Sequence, residues 1–239
     1  MSIYRIIRFS ILMLTIAVAI PSKAQVSLGI EAGYTSSDLS LKGNYQEFAN
    51  VGNTTKPLKG WHVDLQVNIP LIRQTLYLQP VLRYTTKGAC LESSGILNPD
   101  IYTPVGQKLK LDYFDLPVNL VYRPKLGRAG RFFIGAGPYI GHGLSGKYSF
   151  QTQFKGEVTD KNSQDVVFTS KEGSSPMEVR LYPWDFGVNC LVGFEFRSLF
   201  TISANYSKGF QDIDRNSSTT TKNQYWGLSL GFFFSREDY

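Results

Sequence analysis

The sequence is poor in the residues that most enzymes and scaffolds depend on. It has two cysteines in 239 residues, which excludes a disulfide framework and a cysteine-rich zinc site. Its two histidines leave little room for triad or metal chemistry. Charged residues make up 18%, against about 25% in an ordinary globular chain, and aromatics reach 14%. A disordered chain needs more charge and fewer aromatics, so disorder is excluded. No stretch of 18 apolar residues occurs, so no helical membrane span is expected. The net charge of +6 falls to +3 once Arg5, Arg8 and Lys23 are set aside with a removable leader, leaving 22 basic against 19 acidic residues. That balance carries no concentrated basic face and argues against nucleic-acid binding.

The leader is the first feature that is present. Arg5 and Arg8 precede an apolar run at 9–20, Pro21 breaks it, and Ser22 and Ala24 place small residues before Gln25. The run is too short for a membrane helix, and the pattern predicts a secretory signal peptide at 1–24, with 25–239 as the mature domain.

Beyond Gln25 the dominant signal is a period of two, the mark of strands with unlike faces. Eight segments carry it: 25–34, 60–69, 75–87, 108–123, 131–141, 183–197, 199–210 and 224–234. The clearest is 183–197, where Trp184, Phe186, Val188, Cys190, Val192, Phe194 and Phe196 share a face. In 108–123 the apolar positions change from odd (Leu109, Leu111, Tyr113) to even (Val118, Leu120, Tyr122), which predicts a β-bulge near Pro117. Connections alternate long and short, so the long ones gather at one end. Short periplasmic turns and long external loops are the asymmetry of an outer-membrane barrel. The expected fold is all-β: an eight-stranded antiparallel up-and-down transmembrane β-barrel, monomeric, with both mature termini periplasmic and the apolar face in outer-membrane lipid. Tyr34, Trp61, Tyr84, Tyr113, Tyr122, Trp184, Tyr206 and Trp226 are the expected girdle residues near strand ends.

The other face should then fill a narrow lumen. It is expected to hold Glu31, Asp64, Arg83, Lys110, Asp112, Arg123, Asp185, Glu195 and Arg197, with His62, Gln66, Asn68, Gln79, Asn119, Asn189, Ser203 and Asn205. Buried charges are costly unless paired, so a plug of ion pairs and hydrogen bonds is expected, not a pore.

The segments GWHVDLQVNIPL, LYLQPVLRYTTKGA, KLKLDYFDLPVNLVYRP, FFIGAGPYIGHGLS, WDFGVNCLVGFEF and WGLSLGFFF follow one another along 60–234. In that order the chain resembles the PorT-like outer-membrane β-barrel family of Bacteroidetes, most specifically at 111–118 and 135–141. The resemblance implies an eight-stranded barrel without known catalysis, and a link to envelope or type IX secretion proteins as partners. One departure is the continuation past Phe234 as SREDY, where either Tyr239 or Phe234 is the terminal aromatic read by the assembly machinery.

The chemical alternatives are a lipid-modifying enzyme and a small-solute channel. His142 and Ser145 lie three apart, which puts them on opposite faces of a regular strand, so no acyl-hydrolase site is expected. His62 and Asp64 share a face but are two ligands in a crowded lumen. GAGPYIGHG lacks the helix that a phosphate loop needs. Cys190 reads as a lipid-facing hydrophobe, and a bridge to Cys90 is geometrically disfavoured. No catalytic, cofactor or metal residue is therefore expected. Residues 151–182 read as a solvated mixed-charge external loop, in which 164–170 extends strands beyond the membrane.

Overall fold

The computed structural model describes residues 26–43, 51–72, 75–93, 103–127, 129–154, 157–171, 178–215 and 219–235. The expected leader lies outside them. Among the described residues eleven strands run in order: β1 (Ser27–Gly43), β2 (Val51–Ile72), β3 (Leu76–Ser93), β4 (Thr103–Tyr122), β5 (Lys125–Leu126), β6 (Gly130–Phe154), β7 (Glu157–Phe168), β8 (Val179–Leu181), β9 (Trp184–Phe196), β10 (Phe200–Gly209) and β11 (Thr219–Phe233). Eight of them close a ring in the order β1-β2-β3-β4-β6-β9-β10-β11. Every neighbour is antiparallel, and Ile30↔Phe232 and Leu120↔Ala136 lie in the pairings that join the circle. The fold is an eight-stranded antiparallel barrel.

Tight turns gather at one end. Thr75 N donates to Ile72 O (3.1 Å), Ala129 N to Leu126 O (3.2 Å) and Leu199 N to Phe196 O (3.0 Å). Leu199 adopts φ 67°, an uncommon conformation for a bulky residue, and its carbonyl accepts from Phe233 N at 3.0 Å.

The outer wall is apolar because its alternation is. Leu28, Ile30, Val63, Leu65, Leu82, Leu116, Leu120, Ile134, Val192, Ile202, Leu228 and Leu230 all stand exposed, with Leu230 reaching 58%. At the upper rim of this band each ring strand contributes one aromatic: Tyr34, Trp61, Tyr84, Phe114, His142, Trp184, Tyr206 and Trp226. Many touch their neighbours, as in Tyr34–Trp226 (6.0 Å between ring centroids), Trp61–Tyr84 (5.2 Å), Tyr84–Phe114 (5.6 Å) and His142–Trp184 (4.6 Å). Phe194, Phe196, Phe200, Phe232 and Phe234 form a second, partial belt near the tight turns.

A tilted crossing needs about 9–11 residues. β2, β4 and β6 have 22, 20 and 25 residues, so they continue well past the upper girdle. There the pattern inverts. On β4 the alternation is unbroken from Gln107 to Tyr122, with every odd residue inward, Pro117 included. What changes is chemistry: below the girdle the even, outward residues are apolar, and above it the odd, inward ones are. The bulge expected at Pro117 is absent. An irregularity lies instead where Asp112↔Ser145 gives way to Tyr113↔Gly143, so that Leu144 is the extra residue on β6.

The inversion, and the end of the ladder at Phe196, correct four girdle and lumen assignments. Tyr113 is fully buried inside, and Phe114 takes its place in the girdle. Lys110 and Asp112 face outward, not into the lumen. Arg197 is exposed in the Phe196–Leu199 turn, where the ladder has ended. The segments expected as loops at 35–59, 88–107 and 142–182 are largely strand, and Val166–Phe168 of β7 pair in parallel with β8.

Above the girdle the inward apolar residues make a second core from Leu39, Ala89, Leu109, Leu111, Tyr113, Val166, Leu181 and Ile213, flanked by Leu41, Tyr148, Phe168 and Val179. The segments 178–183 and 210–215, just before β9 and just after β10, supply its roof: Tyr182 N donates to Ile213 O (2.7 Å) and Ile213 N to Thr221 O (2.9 Å).

The two environments predict opposite responses. Leu230→Arg on the lipid face should cost about 2–4 kcal/mol in a bilayer, and Leu111→Ala in the dome about 2–5 kcal/mol. Lys110→Leu, outward but above the girdle, should stay within about 0.5 kcal/mol. Denaturant unfolding of the protein refolded into vesicles measures all three.

Candidate functional site

The lumen is where polar side chains converge. Its upper floor is centred on Lys87, fully buried on β3. Lys87 Nζ donates to Asp115 Oδ1 (2.9 Å) and Asp185 Oδ2 (3.0 Å), and lies 4.5 Å from the ring centroid of Tyr113 and 4.9 Å from that of Tyr139. Asp185 Oδ2 also accepts from Tyr139 Oη (3.1 Å) and Asn223 Nδ2 (3.0 Å). Beside this cluster Arg83 forks onto Asp64, with Nε to Oδ1 at 2.8 Å and Nη2 to Oδ2 at 2.6 Å. Its Nη1 donates to Tyr225 Oη (2.8 Å), and Tyr225 Oη reaches Asp115 Oδ2 at 3.5 Å.

The middle floor is neutral amide and hydroxyl chemistry around one acid. Glu31 accepts from Thr201 Oγ1 (3.0 Å) and Ser203 Oγ (3.1 Å). Gln79 Nε2 donates to Gln66 Oε1 (2.9 Å) and Asn68 Oδ1 (3.0 Å). Asn189 bridges Asn119 (3.0 Å) and Ser207 (2.7 Å). The lowest floor holds Arg123, paired with Glu195 at 2.8 Å and wedged among Tyr77, Phe133 and Phe233 at 5.3, 5.2 and 4.9 Å from their centroids. Arg131 donates to Tyr77 Oη at 3.2 Å.

Glycines make room for these side chains. A Cβ on Gly193 would sit 2.3 Å from Phe133 Cζ, and one on Gly33 would sit 2.7 Å from His62 Cε1. Small residues on the inner face thus accept the large ones across from them, which is why the barrel is filled.

Of the residues expected in the lumen, Glu31, Asp64, Arg83, Arg123, Asp185 and Glu195 are buried there, as are His62, Gln66, Asn68, Gln79, Asn119, Asn189, Ser203 and Asn205. The sequence reading missed Lys87, Asp115 and Arg131. Lys87 adjoins the irregular Gly88 (φ 129°), which hides its face. Asp115 sits in the segment read as out of phase, although it is two residues from Pro117 on an unbroken face.

The residues weighed for chemistry do not assemble. His142 lies edge-on to Trp184, whereas Ser145 Oγ donates to Asp112 Oδ2 (3.2 Å). The Leu144 bulge brings Ser145 to the outer surface with His142, but their side chains serve different neighbours. His62 bonds to Ser229 Oγ (2.8 Å), and Asp64 is committed to Arg83. Cys190 is exposed on the lipid face and Cys90 stands on β3 above the girdle, both free thiols. Among the described residues no group of three His, Cys, Asp or Glu converges as a metal site. Above the bilayer Tyr148 donates to Gln107 Oε1, and burial pushes its hydroxyl up to about 12, so it remains a donor at neutral pH.

Removing one partner of a buried ion cluster strands the rest in low dielectric. Lys87→Met should therefore cost about 3–5 kcal/mol. The triple variant Lys87→Met, Asp115→Asn, Asp185→Asn should recover most of that loss. Unfolding of the set in vesicles gives the coupling directly.

Comparison with known proteins bears on a barrel of this build. Among solved structures, the chain is similar to the crystal structure of Ail, the attachment invasion locus protein of Yersinia pestis, with 12% identity, 87% of this chain and 98% of that chain covered and a TM-score of 0.41. It is similar to OprG from Pseudomonas aeruginosa, with 12% identity, 89% and 98% covered and a TM-score of 0.43. It is similar to Neisserial surface protein A, with 9% identity, 87% and 96% covered and a TM-score of 0.38. No curated protein matches the chain. The model of the outer membrane protein beta-barrel domain matches residues 21–215, which take in the ring from β1 through β10. With its closed ring, apolar wall and aromatic girdle, the chain belongs to the outer membrane protein beta-barrel domain family and is an integral outer-membrane barrel.

Proposed function

We propose that this protein is a sealed, non-catalytic anchor that holds an extended polar platform outside the cell and works by binding partners or supporting the envelope. The observation that carries the reading is the double closure of the barrel. Ion pairs and amides occupy the lumen at the depth of the membrane, and the dome around Leu111 and Ile213 lies across its upper end. A solute would have to displace Lys87, Arg83 and their partners from 2.6–3.0 Å contacts. What remains for work is the surface above the girdle, where β6 and β7 form a hairpin that exposes Glu157, Asp160 and Lys161.

The finer parts of the reading follow the same logic. Residues 1–24 act as the export signal. The tight turns and both mature termini face the periplasm, and the β6–β7 hairpin faces outward. The PorT-like resemblance makes a secretion assembly the partner class to examine first. The lipid-modifying alternative is disfavoured because His142 and Ser145 serve different neighbours.

In planar bilayers the refolded protein should give no stable conductance above baseline. Large, steady channels from the wild type would overturn the sealed-anchor reading. In cells, a cysteine at position 161, in a chain with Cys90 and Cys190 replaced, should react with an impermeant maleimide. A cysteine at position 235 should react only after lysis.

A further inference from the structure

The lumen at the tight-turn end holds more positive charge than its own residues neutralise. Arg131 on β6 stands directly opposite Glu195 on β9, yet Glu195 pairs across the lumen with Arg123 at 2.8 Å. Arg131 is left with a neutral partner, the hydroxyl of Tyr77 at 3.2 Å, and among the described residues no carboxylate lies within ion-pair distance of it. The next acid along the lumen, Glu31, is held by Thr201 and Ser203 and pairs with neither arginine. Among the described residues two cations thus share one carboxylate. Both arginines are buried, Arg131 at 4% exposure and Arg123 at 3%. Each has an N–H group without a hydrogen-bond partner, Nη2 of Arg131 and Nε of Arg123.

The two side chains line one small cleft, together with Ser27 at the start of β1, Tyr77, Glu195 and, just past β11, Ser235. The cleft has room for one water-sized group. Its walls are fixed. Arg123 lies among the rings of Tyr77, Phe133 and Phe233, and Phe233 fits there because Gly29 is beside it: a Cβ on Gly29 would sit 2.6 Å from Phe233 Cδ1. The guanidinium is held before a ligand arrives, so binding costs little ordering. A water satisfies the two N–H groups without answering the surplus charge. A carboxylate oxygen does both, and its bonds from guanidinium N–H groups are of the stronger, charge-assisted kind. With Glu195 already counted, one bound carboxylate brings this floor to neutrality. Phosphate and sulfate carry a tetrahedron of oxygens that the space does not admit. We propose that Arg123 and Arg131 form a carboxylate-binding site at the tight-turn mouth of the barrel, which takes one oxygen of the ligand and leaves the other toward the exposed Ser235. In the orientation given above this mouth opens to the periplasm, and the compartment of the ligand rests on that reading. The ligand is then a carboxylate group, on a free small acid or on a periplasmic polypeptide.

The test uses the full mature chain in nanodiscs with isotope-labelled arginine, and follows the guanidinium Nε–H resonances by NMR. Acetate should shift the resonances of Arg123 and Arg131 saturably, with half-saturation at roughly 1–10 mM. Acetamide, its neutral counterpart, should leave them in place. Equal response to the two, or response to neither, overturns the site, and this comparison needs no variant to fold. Half-saturation by chloride or sulfate at the acetate concentration overturns the choice of carboxylate. Arg131→Gln should weaken the acetate response at Arg123 about tenfold, the loss of one charge-assisted hydrogen bond. An undiminished response in that variant, with its fold verified by heat-sensitive gel mobility, overturns the site as well. The capped peptide acetyl-Gly-Asp-Gly-amide separates the sources against its Asn counterpart. Tighter binding of the aspartyl peptide than of acetate supports a site for a chain-borne acid, and the reverse supports one for a free acid. Labelling at position 235 reports orientation independently. Reaction there in intact cells overturns the periplasmic assignment, whereas protection with no acetate response overturns the arginine site alone.

Discussion

Hydrocarbon offers no partner for a peptide N–H or C=O, so a sheet that crosses it must close on itself. That constraint determines the rest of the architecture. The first and last strands must meet, which the β1–β11 register accomplishes over Gly29–Gly43. A ring of eight strands leaves an interior only as wide as its side chains. The protein is therefore obliged to fill that interior, and the alternation that greases the outside delivers polar residues to the inside.

What fills the interior follows from how little room there is. A barrel with an apolar inner face would pack, but its strands would then be apolar on both sides and hard to keep apart from lipid-facing alternatives. The polar inner face makes the register unambiguous: shifting a strand by one residue would place Asp64 or Arg83 in oil and Leu65 in the lumen. The ion clusters contribute less to stability than their distances suggest, since desolvation offsets much of the attraction. Their value lies in what they forbid. Arg83 reaches Asp64 in both guanidinium-carboxylate contacts only in this register, where Asp64↔Arg83 are direct partners.

The same alternation made most of the barrel readable from the sequence. Trp184 to Phe196 and Trp226 to Phe234 display it without interruption, and their faces are as expected. The reading failed where a rule about lipid was applied beyond the lipid. At Leu109, Leu111 and Tyr113 the apolar residues are on the inner face because water, not hydrocarbon, lies outside, as Lys108 and Lys110 attest. A change of solvent along one strand looks, in sequence, the same as a change of phase. Only partners distant in the chain separate the two. Leu39, Val166, Leu181 and Ile213 come from four other segments, and their convergence on Leu111 is a property of the closed fold that no local window contains.

That inversion also divides the molecule's tasks. Below the girdle every side chain is answerable either to lipid or to a lumen partner, so a substitution there is felt as stability. Above it the inward residues still hold a core, but the outward ones are released from both demands. Lys110 and Lys147 can face each other only in such a place, because in the membrane neither would be tolerated and in the lumen each would need an acid. The extra length of β2, β4 and β6 is thus a rigid extension of the barrel wall into water. A sheet carries side chains there at fixed spacing, where a loop of equal length would hold them in no fixed arrangement. The dome that closes the lumen and the polar surface left free above the girdle are two faces of the same extended strands. Sealing the barrel and presenting a platform are consequently one structural solution.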